Sequence, residues 1–303
     1  MNKKNIIIIV IIVVFVGVGA YFLIQNLSYN VAVTNNTTQS PSNDQASETQ
    51  ASEQARSDKS IIGKSVQGRE ITAYHYGTGE EEILFVGGIH GGYEWNTVLV
   101  AYNMMDYLQA RPDIIPQNLK ATVIPVLNPD GLYKVLSTAG RFTATDVSSS
   151  QDVRISGRFN ANNVDLNRNF DCDWQPTGIW QQTAVNGGSE TFSEPESLAI
   201  KNYIETQKPK AVVVWYSAAG GVFASSCHNG VLPETNNITN IYSQASGYPA
   251  YDTFDFYKIT GDMVNWLAKE KIPAISVLLT THQDVEWNKN LAGIEALFKY
   301  YAK

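Results

Sequence analysis

The sequence is poor in charged residues, and basic residues are the scarcer kind. Of its 303 residues only 17% are charged, with 22 Lys and Arg against 29 Asp and Glu. A net charge of −7 argues against binding to nucleic acid through bulk electrostatics, since no basic tract offsets it. No internal repeat is found. Hydrophobic residues make up 44%, which is enough to bury a substantial core.

Cysteine is also scarce, because only Cys172 and Cys227 are present. Outside the cytoplasm two thiols can remain joined as a disulfide, and this is the favoured interpretation. The alternative is two unrelated buried cysteines. No cysteine lies directly after the apolar run near the N-terminus, which argues against a lipoprotein.

An unbroken apolar run extends from Ile6 to Ile24, about the length that a helix needs to cross a bilayer. Lys3 and Lys4 precede it and place the N-terminus in the cytoplasm. Residues 1–25 are therefore predicted to be a single-pass transmembrane anchor in the cell membrane, with the rest of the chain extracytoplasmic. A cleaved signal peptide is the alternative, because small residues lie near the end of the run. The anchor is favoured because the run is long for a signal peptide.

Residues 26–60 are mostly Asn, Ser, Thr, Gln and Glu. A segment with so few large apolar residues cannot bury enough surface to order itself, so it is predicted to be a disordered linker. The linker would hold a single folded domain, residues 61–303, away from the membrane.

Short apolar runs and segments with helical spacing alternate through this domain. Buried strands are predicted at 83–86, 121–127, 211–215 and 274–279. Helices are predicted at 97–109, from the start signal at 193–196 to about 207, at 262–270 and at 288–301. Ser193 followed by Glu196 predicts a capped start for the second helix. The pattern predicts an α/β fold with a mixed, mostly parallel sheet and helices on both faces. Sites in such sheets lie at the carboxyl ends of the strands.

Two potential metal ligands follow the first of these strands. His90 and Glu94 lie in the stretch His-Gly-Gly-Tyr-Glu, where a loop can turn both towards one cation. Imidazole nitrogen and carboxylate oxygen are ordinary zinc ligands. A surface salt-linked pair is the alternative, and the glycines favour the metal site because they let the backbone approach closely.

A second polar cluster spans residues 158–170. Adjacent Asn and Arg side chains on an irregular loop can clamp a carboxylate, the Arg through paired N–H bonds. A polar loop tied to its own backbone explains the same residues equally well. Both interpretations stay open on the residues alone.

Taken together, these motifs resemble the zinc carboxypeptidase family over residues 61–303. Five segments carry the resemblance. They are His-Gly-Gly-Tyr-Glu at 90–94, Asn-Pro-Asp-Gly at 128–131, Asp-Leu-Asn-Arg-Asn at 165–169, Gly-Gly-Ser followed by Phe-Ser-Glu-Pro-Glu within 187–196, and the C-terminal segment 280–291. It implies a sheet of about eight strands, a zinc ion held by two His and one Glu, and action on peptide C-termini.

The resemblance implies that His90 and Glu94 are metal ligands and that Asp165 orients His90. Three residues separate His90 from Glu94 where the family has two, so the loop is expected to bulge. The family's third ligand is a His, and Tyr216 stands at the matching position. A phenol has a pKa near 10 and binds zinc poorly, so zinc is expected to bind less firmly than in the family.

The resemblance further implies that Asn167 and Arg168 hold the terminal carboxylate of a peptide and that Arg158 polarises the scissile carbonyl. The family's general base is a Glu on the last strand, and Leu278 stands at the matching position. Removing a positioned acid or base typically costs a factor of about 10² to 10⁴ in rate. The family's tyrosine that covers the substrate would fall near Ala268 and is not found there.

The sequence therefore predicts a binding protein for peptide C-termini or peptidoglycan stem peptides in which hydrolysis is lost or weakened. The alternative is an active zinc metallocarboxypeptidase that has recruited another base and another ligand. A third interpretation is a purely structural or docking module. The substitute ligand or base could come from His228, His282 or Glu286, but all three are interpreted as ordinary loop residues.

Overall fold

The computed structural model describes residues 58–303. The predicted anchor, residues 1–25, and nearly all of the predicted linker lie outside the described residues. Within residues 58–303 no helix is both long enough and apolar enough to cross a membrane. The first strand begins at Asp58, so the linker prediction is wrong for residues 58–60, which belong to the folded domain.

The strands are β1 (Asp58–Lys64), β2 (Glu70–Tyr76), β3 (Glu81–Val86), β4 (Leu119–Ile124), β5 (Thr177–Trp180), β6 (Thr183–Asn186), β7 (Ala211–Ser217), β8 (Gly221–Ala224), β9 (Ala250–Tyr251) and β10 (Ala274–Leu279). The helices are α1 (Trp95–Ala110), α2 (Pro129–Leu136), α3 (Gln151–Ser156), α4 (Pro195–Gln207), α5 (Pro233–Ser246), α6 (Met263–Lys269) and α7 (Trp287–Tyr301).

Eight strands form one mixed sheet in the order β1-β2-β4-β3-β7-β10-β8-β9, and β5 pairs with β6 in a separate hairpin. The neighbouring strands β4, β3, β7 and β10 run parallel to one another. Antiparallel pairs join β1 to β2, β2 to β4 and β8 to β10, and β9 lies parallel to β8. The predicted mixed sheet of about eight strands is confirmed. Because the four central strands are parallel, their carboxyl ends meet at one edge of the sheet.

The two faces of the sheet are covered by different helices. Residues such as Phe85 and Trp215 point to one face, where they pack with apolar residues of α1 and α7. Their neighbours Leu84 and Val214 point to the other face, with residues of α4 and α6. The central strands are buried on both faces, which explains why their sequences are continuous apolar runs rather than alternating ones.

The capped start predicted for α4 is wrong. Glu194, not Ser193, is the residue before the helix, and it makes no side-chain cap. The hydroxyl of Ser193 donates to Glu194 Oε1 at 3.0 Å, and Glu196 Oε1 accepts from the backbone N–H of Val66 at 3.1 Å. The Ser193 hydroxyl also accepts from Asn169 Nδ2 at 3.0 Å, so contacts with distant residues occupy the groups that a capping box would use.

The stretch that reads Asn-Pro-Asp-Gly starts a helix instead of making an isolated turn. Asn128 caps α2, because its Oδ1 accepts from the backbone N–H of Gly131 at 2.8 Å. Its Nδ2 donates to the carbonyl of Arg158 at 3.3 Å, which joins the start of α2 to the loop that carries the second polar cluster.

Candidate active site

His90 and Glu94 lie at the carboxyl end of β3, on a tight 3₁₀ turn formed by Gly91–Glu94. The turn depends on Gly91, whose φ of +47° is in the left-handed region. A Cβ on Gly91 would lie 2.6 Å from the carbonyl oxygen of Gly157. The turn accommodates the extra residue between the two candidate ligands and brings Glu94 Oε1 to 2.9 Å from His90 Nδ1.

These two side chains are buried and lack ordinary hydrogen bonds. His90 is 3% exposed and Glu94 is 2% exposed. Both ring nitrogens of His90 lie near carboxylate oxygens, yet neither has the direction that a hydrogen bond requires, and Glu94 Oε2 has no partner either. A nitrogen and a carboxylate that converge without partners are a donor set that suits a cation such as zinc.

Asp165 lies behind His90 and is fully buried. Its Oδ1 is 3.3 Å from His90 Nε2, while Oδ2 accepts from Arg158 Nε at 2.9 Å. Burial alone would raise the pKa of Asp165, but the guanidinium groups of Arg158 and Arg168 hold it well below its usual range. Asp165 is therefore an anion beside the imidazole and can orient it.

Arg158 is buried between Asp165 and the cavity. Its Nη2 is 2.8 Å from Asp165 Oδ2, and its Nη1 is 3.9 Å from Glu94 Oε1. The guanidinium carbon lies 4.5 Å from the ring centre of Trp180. These contacts hold the charge rigidly at the cavity wall, next to the two candidate ligands.

Tyr216 lies near the end of β7 with its ring centre 5.7 Å from that of His90. Its hydroxyl donates to Asn167 Oδ1 at 3.2 Å. Burial raises the pKa of Tyr216 well above its ordinary value, and the nearby carboxylates of Asp262 and Glu94 raise it further. The residue is a neutral phenol, which is a weak ligand for zinc.

Zinc at this position would have two good protein ligands. Catalytic zinc sites generally use three. Within residues 58–303 no third His, Cys or carboxylate joins His90 and Glu94 in a compact group, and the one such group, Cys172 and Cys227 with His228, has both sulfurs in a disulfide. The residues present therefore fit a zinc ion in part. A bound zinc ion would supply Lewis acidity next to Arg158.

Leu278 lies directly beside Tyr216 in the sheet. The two residues are partners in the parallel register of β10 and β7, and both line the same cavity. Leu278 is 7% exposed and belongs to the apolar cluster that also contains Tyr216. Tyr216 and Leu278 thus form one continuous patch of the cavity wall, and neither side chain is a carboxylate or an imidazole.

Asn167 and Arg168 line the cavity, and both are also hydrogen-bonded to backbone groups. Asn167 Oδ1 accepts from Tyr216 and from the N–H of Met263 at 3.0 Å, while its Nδ2 has no partner in the described part of the chain. Arg168 donates to the carbonyls of Ile179 and Asn167 through three of its five N–H groups. The remaining N–H groups of both residues are available to a ligand carboxylate.

The cavity has a volume of about 400 Å³ and is lined in part by residues that no sequence motif indicated. They include Tyr93, Trp180, Tyr257 and Asp262. Ala268, where the family's tyrosine was expected, is instead buried beside the two cysteines. The aromatic-rich stretch at 254–257 was the available signal for Tyr257, but nothing in its spacing indicates which ring faces the cavity.

Of the three residues considered as a substitute ligand or base, His228, His282 and Glu286, only His282 lines this cavity. Its ring centre is 4.6 Å from that of Tyr93, and its Nδ1 is buried without a partner. Burial lowers the pKa of His282, although the carboxylate of Glu94 acts in the opposite direction. His228 is exposed near Asp173. Glu286 is bound to Thr280 and Lys289 and does not line the cavity.

Cys172 and Cys227 form a disulfide, with their Cα atoms 6.2 Å apart. Cys172 closely follows the loop that carries Asp165 and Arg168, and Cys227 follows β8. The bond therefore fastens the loop of residues 158–170 to an outer part of the sheet.

Comparison with known proteins identifies the family of this chain. The family model described as zinc carboxypeptidase matches residues 43–285, which is most of the sequence. The chain belongs to the zinc carboxypeptidase family. It is similar to carboxypeptidase Z of Rattus norvegicus, with 30% identity over 159 residues that cover 50% of this chain and 22% of the relative. The chain thus spans less than a quarter of that relative's length.

Solved structures of zinc carboxypeptidases and related enzymes have the same fold. Carboxypeptidase A of Helicoverpa armigera aligns with a TM-score of 0.61 and 20% identity, over 94% of this chain and 79% of that one. The murein-tripeptide amidase of Escherichia coli O157 aligns with a TM-score of 0.58 and 19% identity, over 81% of this chain and 93% of that one. At these identities the likeness concerns the fold.

Proposed function

We propose that this zinc carboxypeptidase family member is a membrane-anchored, extracytoplasmic protein that binds peptide C-termini and has lost most of its hydrolytic activity. The proposal is carried by the wall that Tyr216 and Leu278 form together. At the place where the family has a ligand and a base, this chain has a neutral phenol and an aliphatic side chain. Neither side chain moves a proton readily at neutral pH.

The proposed ligand is a peptide, or a peptidoglycan stem peptide, with a free C-terminal carboxylate. Arg168 and Asn167 retain unpaired N–H groups beside the cavity, and Arg158 lies next to the candidate metal ligands. Charge-assisted hydrogen bonds from such groups are the ordinary means of binding a carboxylate. The fold shared with a murein-tripeptide amidase supports cell-wall peptides as one source of ligands.

The membrane anchor rests on the apolar run at residues 6–24 with lysines before it. In membranes from expressing cells, the full chain should stay in the pellet after extraction with alkaline carbonate. Protease added to spheroplasts should degrade the domain that contains the cavity. Release into the carbonate supernatant, or protection from the protease, would contradict the anchored, outward-facing arrangement.

The loss of hydrolysis is tested with the full chain and the double variant Tyr216→His, Leu278→Glu. After dialysis against zinc and then against buffer, the unaltered chain should retain less than one zinc per molecule and release no C-terminal residue from peptides. The double variant should retain zinc more firmly and gain measurable hydrolysis. Hydrolysis by the unaltered chain at ordinary metallopeptidase rates would exclude the loss of activity.

Arg168 offers a test of the binding role. Arg168→Ala should abolish peptide binding, and Arg168→Lys should restore it only in part, because lysine lacks the planar paired donors. Both variants also lose bonds to Ile179 and Asn167, so circular dichroism and thermal melting must show an intact fold. Unchanged binding in a folded Arg168→Ala protein would favour a purely structural role for the domain.

The second candidate is a working metallocarboxypeptidase that uses His282 as its base. The observation that favours it is the buried, unpartnered Nδ1 of His282 at the cavity wall. Because burial lowers the pKa of His282, its imidazole is neutral near pH 7 and can accept a proton. Any activity of the unaltered chain should then fall by about 10² to 10⁴ in His282→Gln. His228→Gln, outside the cavity, should keep that activity.

A further inference from the structure

The disulfide has two further donor groups beside it. One ring nitrogen of His228 and the sulfurs of Cys172 and Cys227 all lie within 4.8 Å of one another. Asp173 Oδ1 is 3.3 Å from His228 Nε2. Each of these polar residues directly follows one of the cysteines in the chain, and none of the four residues lines the cavity that contains His90. Two sulfurs, an imidazole and a carboxylate therefore meet at a second place in the domain.

The cluster lies just beneath the surface. Cys172 and Cys227 are each 5% exposed, whereas the side chains of His228 and Asp173 are 64% and 58% exposed. The imidazole and the carboxylate therefore stand on the solvent side of the bond. His228 and Asp173 have φ values of +49° and +52°, in the left-handed region that side chains other than glycine adopt at a cost. Such strained residues are concentrated at functional sites.

The spacing of these groups suits zinc once the two sulfurs are separate. Zinc in a tetrahedral site has bonds of about 2.0–2.3 Å, so its ligand atoms are about 3.3–3.8 Å apart. Because a disulfide holds its sulfurs about 2 Å apart, the sulfurs would separate by less than about 2 Å and the imidazole would approach by about 1 Å. Rotation of side chains supplies movements of this size, so the backbone can stay in place.

We propose that Cys172, Cys227 and His228 bind a zinc ion when the disulfide is reduced. Reduction by a dithiol joins the two sulfurs of the dithiol and leaves two thiols in this chain. Zinc then replaces the two thiol protons, because the thiolate is the form that binds metal. Water completes the tetrahedral set. Asp173 stands outside the group of three and would orient the imidazole, as carboxylates beside metal-bound histidines generally do.

The zinc ion would fasten the same two parts of the domain that the disulfide fastens. Thiols are reduced when a chain leaves the cytoplasm, so in the proposed extracytoplasmic location zinc and oxidation compete for this pair. The loop of residues 158–170 is then held to the sheet by a metal before oxidation and by a covalent bond after it. The site is separate from His90 and Glu94 and does not depend on the proposed binding of peptides.

Cobalt(II) is the probe for this site, because thiolate ligands give it an intense near-ultraviolet band that oxygen and nitrogen ligands do not give. The full chain in detergent is reduced with dithiothreitol, which is then removed without oxygen, and its free thiols are counted. The reduced chain should have two thiols and bind one cobalt ion with this band, and zinc should displace the cobalt. The oxidised chain should show no band. A bond that dithiothreitol leaves intact in the folded chain, or two free thiols without the band, would overturn the proposal.

Three variants separate this site from a simple pair of thiols. Asp173→Asn should weaken cobalt binding by about 10-fold to 100-fold, and His228→Gln should weaken it more because a ligand is lost. Asp171→Asn makes the same change in charge as Asp173→Asn at an exposed residue that is paired with Lys269, and it should keep the affinity. If His228→Gln binds cobalt as tightly as the unaltered chain, the two thiols bind without the imidazole and the proposed site is wrong.

Thermal melting tests whether the metal replaces the bond as a fastening. The reduced chain should melt at a lower temperature than the oxidised chain, and added zinc should raise its melting temperature back towards that of the oxidised chain. The Cys172→Ala, Cys227→Ala variant keeps His90 and Glu94 but should gain little from zinc. An equal rise in this variant would place the stabilising zinc at another site and contradict the fastening role.

Discussion

At the scale of single residues, the ionisation of Asp262 sets a pH dependence on folding. Its pKa is raised by burial to about 6 in the folded chain, against 3.8 in the unfolded chain. Between these values the folded chain keeps a proton that the unfolded chain has lost. The free energy of unfolding therefore falls as pH rises from about 4 to about 6, by about 3 kcal/mol from this group.

Asp262→Asn should remove this fall in the free energy of unfolding. The variant's free energy of unfolding, relative to that of the unaltered chain, should increase by about 3 kcal/mol between pH 4 and pH 7, measured by urea denaturation. Asp255→Asn reports the effect of net charge alone, because that residue is exposed. If the stability curves of Asp262→Asn and of the unaltered chain stay parallel over this range, burial does not hold the carboxyl of Asp262 protonated.

At the scale of elements, the 3₁₀ turn after β3 determines where the candidate ligands lie. Gly91→Ala should destabilise the chain by several kcal/mol and should reduce zinc retention, since its Cβ would lie 2.6 Å from the carbonyl oxygen of Gly157. Thermal or urea denaturation measures the first effect, and metal analysis after dialysis measures the second.

The matched control is Gly68→Ala, in the turn between β1 and β2. Gly68 also has a positive φ, +78°, but no atom lies within 4 Å of the Cβ position. Its substitution should cost only the backbone strain of about 1–2 kcal/mol and leave zinc retention unchanged. Equal losses in the two variants would mean that backbone conformation, rather than the close approach to Gly157, makes Gly91 necessary.

At the scale of the whole molecule, the disulfide joins two parts of the domain that are distant in sequence. Cys172 and Cys227 are 55 residues apart, so the bond restricts a long loop of the unfolded chain. Replacement of both cysteines by alanine should lower the free energy of unfolding by about 4 kcal/mol in the chain-entropy account. Urea denaturation of the oxidised protein and of the double variant measures the difference.

Dithiothreitol provides the control for this prediction. The reductant should lower the stability of the unaltered chain towards that of the Cys172→Ala, Cys227→Ala variant and should have no effect on the variant. If the reductant destabilises both proteins equally, the effect does not arise from this bond. Because Cys172 closely follows Asn167 and Arg168, the residues proposed to bind the carboxylate, peptide affinity should weaken together with stability.

Several features could be predicted from the sequence because they depend on neighbours along the chain. The four central strands are buried on both faces, so they appear as continuous apolar runs, and the β10 prediction at 274–279 has the bounds that the structure gives. His90 and Glu94 are close because a short turn with glycines joins them. The start of α4 shows the limit of such local signals, since tertiary partners of Glu196 and Ser193 replaced the predicted cap.

The sequence by itself determined the class of fold, the four central strands and four of the helices in their order, and the residue types that stand at Tyr216 and Leu278. Only the tertiary structure decided that these two residues are neighbours on adjacent strands, that His282 rather than His228 or Glu286 reaches the cavity, and that the carboxyl of Asp262 is buried there. The physical reason is that a cavity at the carboxyl edge of a sheet is lined by segments far apart in the chain. Their mutual approach depends on packing, which no local pattern encodes.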